Sequence, residues 1–576
     1  MNGPPSRQER QQRLKRRALP LVGIAFVAFV LGAIEGCPGD PNRSAAERYV
    51  NAWEQHDYAR MHSELSSKSQ EAIPLERFQE RYEKAESTAT LQSIESEEAK
   101  GDETVAEVPV TAGTLAFGEI EQPLTFTFGS DGIAWQNNLL FPGLVEGEEL
   151  TRTTELPRRA PILAADGQRM AEGPSLARGY PLGDSMIDVT GTIGTEENTS
   201  LENEMLGFSE GEPVGVSGLE LAYNGRLAGK PGGTLFAKEF GSEIEGEGRE
   251  LGTGEPAQAK PLKTTIDPTI QDAAVAAMSP YVGGAAVIDA RNGQIRALAG
   301  QAYSLLQPPG STMKIITATA ALEESKVSLD EQFEYSTSGV ADGREIFNAG
   351  DAVCGGSFVD SFANSCNSVF APLSMEIGEE SLTETSESFG FNRPPQIWNE
   401  EGLEAVGPPT PSIPQAGDYN NELGVSGIGQ GLVQATPLLM ASTAQGIANK
   451  GEVSATPIVT EAALQAGSDP VRVASAKTAA QVAEMMVAVV QYGTGTAAAI
   501  AEAQVAGKTG TAEIGVRAGG EIDSEGNPDL IEDAWFAGFA PSDKPKLALG
   551  IMVNDASSGG GTIAAPIASS IFSAGL

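Results

Sequence analysis

Residues 284–300 read GAAVIDARNGQIRALAG, and residues 308–324 read PPGSTMKIITATAALEE. In the first stretch two apolar β runs, Gly284 to Ala290 and Gln294 to Gly300, flank Arg291-Asn292-Gly293, and Asn-Gly is a strong hairpin signal. In the second, Pro308-Pro309-Gly310 breaks the chain and nothing breaks it again before Glu324, so a helix is predicted from Ser311. Further along, Ala476 to Gln491 is a second helix candidate. Gln504 to Glu513, Ala534 to Ala540 and Lys546 to Asn554 are strand candidates, and a last Ala-rich helix is predicted from about Thr562 to Ala574. Two early strands, a helical middle and three late strands predict one mixed sheet with helices on its faces.

The chain before this region has a different texture. AAERYVNAWEQHDYARMHSEL, residues 45–65, places Ala46, Tyr49, Val50, Trp53, Tyr58 and Met61 at helical spacing. Thr125 to Phe128 and Ile133 to Trp135 alternate like strands, so residues 41–155 read as a small α+β domain. Residues 156–259 are rich in Gly and Glu and read as an elongated, loop-rich module; the β and helix signals then fill residues 260–576. With 576 residues, several cores are needed.

Composition narrows the function. The net charge is −40, although six basic residues against Glu9 crowd the stretch Arg7 to Arg17. So acidic a body repels phosphate backbones, which argues against nucleic acid as a partner. After the basic tail, residues 1–17, Ala18 to Ile34 carry no charge and approach the length of a spanning helix. The basic flank and acidic body predict a single-pass anchor with the body outside the cell membrane. A cleaved signal and a lipoprotein signal ending at Cys37 are the competing readings. Cys354 and Cys366 fall in the part placed outside, where a disulfide between them is permitted; two buried thiols would look the same.

Three short elements carry chemistry. Ser311-Thr312-Met313-Lys314 puts a hydroxyl and an amine on one helix face, and a lysine of lowered pKa can activate the serine. Backbone N–H groups at the start of that helix suit a developing oxyanion. Ser365-Cys366-Asn367 adds a hydroxyl able to relay a proton and an amide able to bind an amide. Lys508-Thr509-Gly510-Thr511 lies in a predicted strand, where Lys508 and the threonine hydroxyls suit a carboxylate and Gly510 admits a substrate backbone. S-x-x-K alone means little, since average usage gives roughly two chance matches in such a chain; the ordered trio is the signal. His56 and His62 both lie in the first domain, which excludes a Ser-His-Asp triad in the catalytic region, and no spacing suggests a metal or other cofactor.

S-x-x-K, S-x-N and K-T-G in this order resemble the penicillin-binding protein and serine β-lactamase superfamily. Leu262 to Asp267 with Gln271, Gly429-Gln430-Gly431 with Thr436-Pro437, and Trp535 to Gly538 resemble segments around its catalytic domain. Arg158 to Ala171, Gly218-Leu219-Glu220 and Leu227-Ala228-Gly229 resemble its pedestal, or dimerisation, module, with Ala160 and Ala165 departing from the usual pattern. Residues 41–155 resemble an NTF2-like module. The resemblance implies a multidomain α+β chain of the class B, monofunctional type: NTF2-like domain, β-rich pedestal, and a mixed α/β transpeptidase domain with helices flanking its sheet. It implies peptidoglycan cross-linking through an acyl-enzyme on Ser311, with Lys314 as base, Ser365 supported by Lys508 as proton relay, Asn367 completing the catalytic set with an amide for the substrate, and Thr509, Gly510 and Thr511 binding substrate. Backbone N–H groups of Ser311 and Thr511 would form the oxyanion hole. Implied partners are stem peptides, lipid-linked precursor strands, covalently bound β-lactams and a membrane-embedded glycosyltransferase. A carboxypeptidase or β-lactamase using the same site, and a non-catalytic scaffold or sensor, are the alternatives. No E-x-x-L-N segment resembling a deacylating glutamate is present.

Overall fold

The computed structural model describes residues 41–576 except 103, 196–199, 210, 243–247, 468, 517–529 and 557. The expected anchor, 18–34, lies outside the described residues; within them no helix is long and apolar enough to cross a membrane. The described residues form two compact units: one comprises 41–160 with 194–214 and 225–260, the other 161–193, 215–224 and 261–576. The stretch expected as one pedestal is thus shared between them.

In the first unit α1 (Pro41–Glu54) buries Ala46, Tyr49, Val50 and Trp53 at helical spacing. The helix predicted through residue 65 is interrupted: His56 takes a left-handed conformation (φ 51°), and the Asp57 side chain accepts from Arg60 N to start α2 (Tyr58–Ser63). Helix α3 (Leu75–Ala89) follows. Strands β1 (Leu91–Ser96), β2 (Val105–Thr114), β3 (Gly118–Phe128) and β4 (Ile133–Ala134) then form an antiparallel sheet in that order. Alternate residues of β2 are buried, and the core gathers Tyr49, Trp53, Phe78, Tyr82 and Phe126. Residues 156–259, loop-rich by composition and β-rich by resemblance, supply two strands of a sheet. Strands β5 (Glu148–Glu155), β6 (Gly232–Glu239) and β7 (Arg249–Gly254) pair antiparallel with β6 central, from Gly232↔Glu155 to Glu239↔Glu148.

The second unit holds α4 (Pro268–Met278), the hairpin β8 (Gly283–Asp289) and β9 (Ile295–Gly300), and α5 (Lys314–Glu323). After these come β10 (Cys354–Ser357), α6 (Phe358–Ala363), α7 (Asn367–Ile377), α8 (Pro437–Ala448) and α9 (Ala476–Gln491). Strands β11 (Ala506–Val516), β12 (Leu530–Ala540) and β13 (Leu547–Ala556) and helix α10 (Ala564–Gly575) complete it. The sheet order is β9-β8-β13-β12-β11. Every pairing is antiparallel, where a mixed sheet was expected, because β13 inserts between β8 and β12. Every residue of β8 is buried, as a sheet covered on both faces requires. Ile270, Ala274 and Met278 of α4 and Ile567, Ile571 and Phe572 of α10 join one core with Val287, Leu549 and Ile551. On α8's side the approach is close: a methyl at Gly550 would lie 2.1 Å from Pro437 O.

Candidate active site

Helix α5 is entered through a 3-10 turn, Gly310–Met313, in which residues three apart stack. Ser311 thus lies in the turn immediately before Lys314, three residues ahead of it. Gly310 has φ 52°, its N–H donates to Gly429 O at 2.8 Å, and a methyl there would fall 2.5 Å from Thr511 O and 3.0 Å from Thr511 N. Only glycine brings the serine turn this near to β11. Residues 312–321 are buried whereas Ser311 keeps partial exposure, so the sequence's apolar run sinks the lysine and leaves the serine reachable.

Lys314 Nζ donates to Ser365 O (2.7 Å), Asn367 Oδ1 (2.7 Å) and Ser365 Oγ (3.3 Å). From the other side Lys508 Nζ donates to the same Ser365 Oγ (3.0 Å) and to Thr509 O (3.0 Å). Ser365 adopts φ 62°, which turns the chain from α6 into α7 and aims both its oxygens at the lysines. The two amino groups lie over the rings of Phe370 and Phe362, at 5.4 and 5.7 Å from the centroids. Both lysines are fully buried. Burial pushes Lys508 down to about 7. Burial, followed by the charge of Lys508, pushes Lys314 well below the ordinary lysine range. Burial thus disfavours the charged form of both amines beside the Ser365 hydroxyl.

Strand β11 is the terminal strand of the sheet, so among the described residues one of its edges has no strand beside it. Gly510 pairs with Trp535, and a methyl there would meet Pro309 O at 2.7 Å and Trp535 Cβ at 3.0 Å. Thr511 is half-buried and its Oγ1 accepts from Gly560 N at 3.4 Å. The Thr509 hydroxyl is shared with Thr494 Oγ1 at 2.5 Å. Thr494 was not singled out in the sequence, and its only signal there is a Gly-Thr-Gly after a helix. Gln430 Nε2 donates to Thr511 O at 3.3 Å, which ties the Gly-Gln-Gly segment to the strand. Asn367 Nδ2 donates to Phe347 O at 2.8 Å, so the lip formed by residues 332–357 also joins the site. Cys354 and Cys366 are joined in a disulfide with Cα atoms 5.5 Å apart.

All the candidate residues of the second unit thus meet in one place: Ser311, Lys314, Ser365, Asn367, Lys508, Thr509, Gly510 and Thr511. His56 and His62 lie in the first unit, where His62 Nε2 is 2.8 Å from Ile73 O. Among the described residues no group of three or more His, Cys, Asp or Glu side chains is placed to hold a metal.

The penicillin-binding protein transpeptidase domain family matches residues 283–573, the penicillin-binding protein dimerisation domain family 166–260, and the NTF2-like N-terminal transpeptidase domain family 41–148. The peptidoglycan D,D-transpeptidase PbpA of Mycolicibacterium smegmatis is 34% identical over 297 residues, 48% of this chain and 57% of the relative. Its Mycobacterium tuberculosis counterpart is 30% identical over 339 residues, 56% of this chain and 66% of the relative. The chain thus spans 57–66% of the length of these curated relatives. Penicillin-binding protein A from M. tuberculosis, solved as a ceftriaxone acyl-enzyme complex, superposes with a TM-score of 0.56 at 25% identity, over 73% of this chain and 98% of that structure. A D,D-transpeptidase domain from Eggerthella lenta gives the same TM-score, identity and coverage. With three ordered motifs drawn into one cleft and half of its length matched by the transpeptidase family, the chain belongs to the penicillin-binding proteins, with the domain complement of their class B members.

Proposed function

We propose that the protein is a serine D,D-transpeptidase that cross-links peptidoglycan stem peptides. The observation that carries the reading is Ser365 Oγ held between two buried amino groups, beside a reachable Ser311 at a helix start. Ser311 Oγ attacks the penultimate D-Ala carbonyl, and its proton passes to neutral Lys314. Backbone N–H groups of Ser311 and Thr511 stabilise the oxyanion. As the C–N bond breaks, Ser365, supported by Lys508, delivers a proton to the departing D-Ala amine. The stem peptide lies along the open edge of β11, and Lys508, Thr509 and Thr511 hold its carboxylate. An amine of a second stem then attacks the ester carbonyl, forming the cross-link and returning the proton to Ser311. β-Lactams acylate Ser311 in the same pose.

The wider reading belongs to the same proposal. Residues 18–34 anchor the chain, the body lies outside the cell membrane, and residues 41–155, 156–259 and 260–576 serve as NTF2-like, pedestal and transpeptidase domains. A membrane-embedded glycosyltransferase supplies the precursor strands. Intact mass spectrometry with benzylpenicillin, followed by peptide mapping, tests the chemistry. A lasting adduct on Ser311, absent in Ser311→Ala, is expected. Rapid loss of the adduct with drug turnover would convert the reading to a β-lactamase, and labelling that persists in Ser311→Ala would remove the nucleophile.

A further inference from the structure

The S-x-N segment combines two features that an ordinary helix start lacks. Ser365 carries a β-carbon yet sits at φ 62°, a conformation that non-glycine residues occupy only when their surroundings hold them there. The residue after it caps α7 but is a cysteine whose side chain makes no capping hydrogen bond, at a position where Ser, Thr, Asp or Asn is preferred. What holds this turn is its neighbours. Ser365 N donates to Phe362 O at 3.1 Å and Cys366 N to Ser361 O at 2.9 Å, while Cys366 Sγ is bonded to Cys354.

We propose that the Cys354–Cys366 disulfide is a positioning element of the acylation site, holding Ser365 and Asn367 on Lys314 and Lys508. The residues on either side of Cys366 each present an oxygen to Lys314 Nζ at 2.7 Å, so the bridged residue is the midpoint of the lysine's clamp. At the other end, Cys354 pairs with Ser336 and closes a lip that is itself sewn to the start of α7. Phe347 O accepts from Asn367 Nδ2, and Asn348 Oδ1 accepts from Ser368 N, both at 2.8 Å. Asn348 Nδ2 donates to Ala352 O at 2.8 Å and to Ser336 O at 2.9 Å. The bridge and these bonds therefore fix one short segment, 365–368, from two sides. Cys366 is fully buried and Cys354 is 5% exposed, so a reductant reaches the bond slowly and from the Cys354 side. Without the bridge, Ser365 relaxes toward an ordinary backbone conformation and its oxygens leave the lysines.

The proposal rests on the acyl-transfer reading above, and the experiment separates the two. Benzylpenicillin acylation of the full chain is followed across about pH 6 to 10 for the wild type and for Cys354→Ala/Cys366→Ala. The saturating acylation rate constant of the double variant is expected to fall roughly tenfold to a hundredfold, with the adduct still on Ser311. The rising limb of its pH profile is expected to move to higher pH. Lys508 is the charged group facing Lys314, and a loosened clamp admits water and separates the two amines. A bridge that only stabilised the fold would lower the unfolding temperature and leave that limb in place. Rate constants within about twofold and an unmoved limb overturn the proposal. If the variant does not fold, the wild type is treated with a dithiol, which gives two electrons and two protons to the bridge and leaves as its own disulfide. Alkylation and mass then count the thiols freed in addition to Cys37, and unchanged acylation of the form with both bridge cysteines reduced overturns the proposal equally. A bridged wild type that never acylates overturns the acyl-transfer reading itself, and the positioning proposal with it.

Discussion

In the first unit a buried carboxylate is matched by donors, whereas in the second two buried amines face each other. Glu86, 5% exposed, accepts from Trp53 Nε1 and from Tyr58 OH, each at 2.7 Å, with His56 Nδ1 3.6 Å away. Around it Tyr49 and Tyr82 share a hydroxyl contact of 2.6 Å within a cluster of edge-on rings. Every partner there favours the charge that is buried. Burial disfavours the charge of both Lys314 and Lys508, and the charge of Lys508 adds to that at Lys314. A matched cluster contributes stability; a mismatched one costs stability and holds a base ready.

Substitution should separate the two kinds of cluster. Lys314→Met is expected to lower benzylpenicillin acylation by about a thousandfold or more. It should leave stability unchanged or raise it by about 1 kcal/mol, because a desolvated amine is replaced by an apolar chain of similar length. Glu86→Ala should do the reverse: a loss of about 3 kcal/mol, from two buried donors left unpartnered and a cavity, with acylation by the folded fraction unchanged. Denaturant unfolding and single-turnover acylation on both variants read the contrast, and a stability loss in Lys314→Met as large as that in Glu86→Ala would erase it.

A smaller effect tests geometry without touching a titrating group. Gly510→Ala places a methyl against Pro309 O and Trp535 Cβ, contacts of 2.7 and 3.0 Å that backbone cannot yield cheaply. The serine turn and β11 must part, and acylation is expected to fall about tenfold to a hundredfold with the Lys508 environment retained. Acylation within about twofold of wild type would show that this close approach does not set the reaction geometry.

What the sequence made legible follows the range of the interactions involved. The Asn-Gly hairpin and the helix Ala476–Gln491 depend on neighbouring residues, and both are present where the local pattern puts them. The antiparallel sheet depends on β13, the neighbour of β12 in the chain, pairing on its other edge with β8 far away in sequence, which no local pattern records. Glu148–Glu155, EELTRTTE, shows no apolar alternation because none of its residues is fully buried, and so its pairing with β6 was invisible. At the site, residue types and order named the chemical groups, since chance seldom aligns three such motifs. The positive φ of Ser365, the Thr494 hydroxyl beside Thr509 and the carbonyl of Phe347 behind Asn367 are products of tertiary packing.

The finest distinction between the clusters is the sign of their pH dependence. Lys508 sits at about 7 in the folded chain, below the ordinary lysine value of about 10.4. Between those values the unfolded chain holds a proton that the folded one has released, so the lysine site gains stability as pH rises. His56 is shifted the other way, raised chiefly by the Glu86 carboxylate 3.6 Å from its Nδ1, against the effect of burial. Its contribution is complete below the ordinary histidine value of about 6.5 and is lost as pH climbs through the raised one. With 44% of the histidine side chain exposed, solvent screens the pair and the effect is small. Amide exchange followed separately in α1 to α3 and in β11 to β13 reads the two trends. Protection in the first set should fall slightly from about pH 6 to 8, after correction for intrinsic exchange, and His56→Gln should remove that fall while leaving the rise around Lys508. Both sets rising together would mean that His56 does not report on Glu86, and that the aromatic cluster is held by its rings and tyrosine hydroxyls alone.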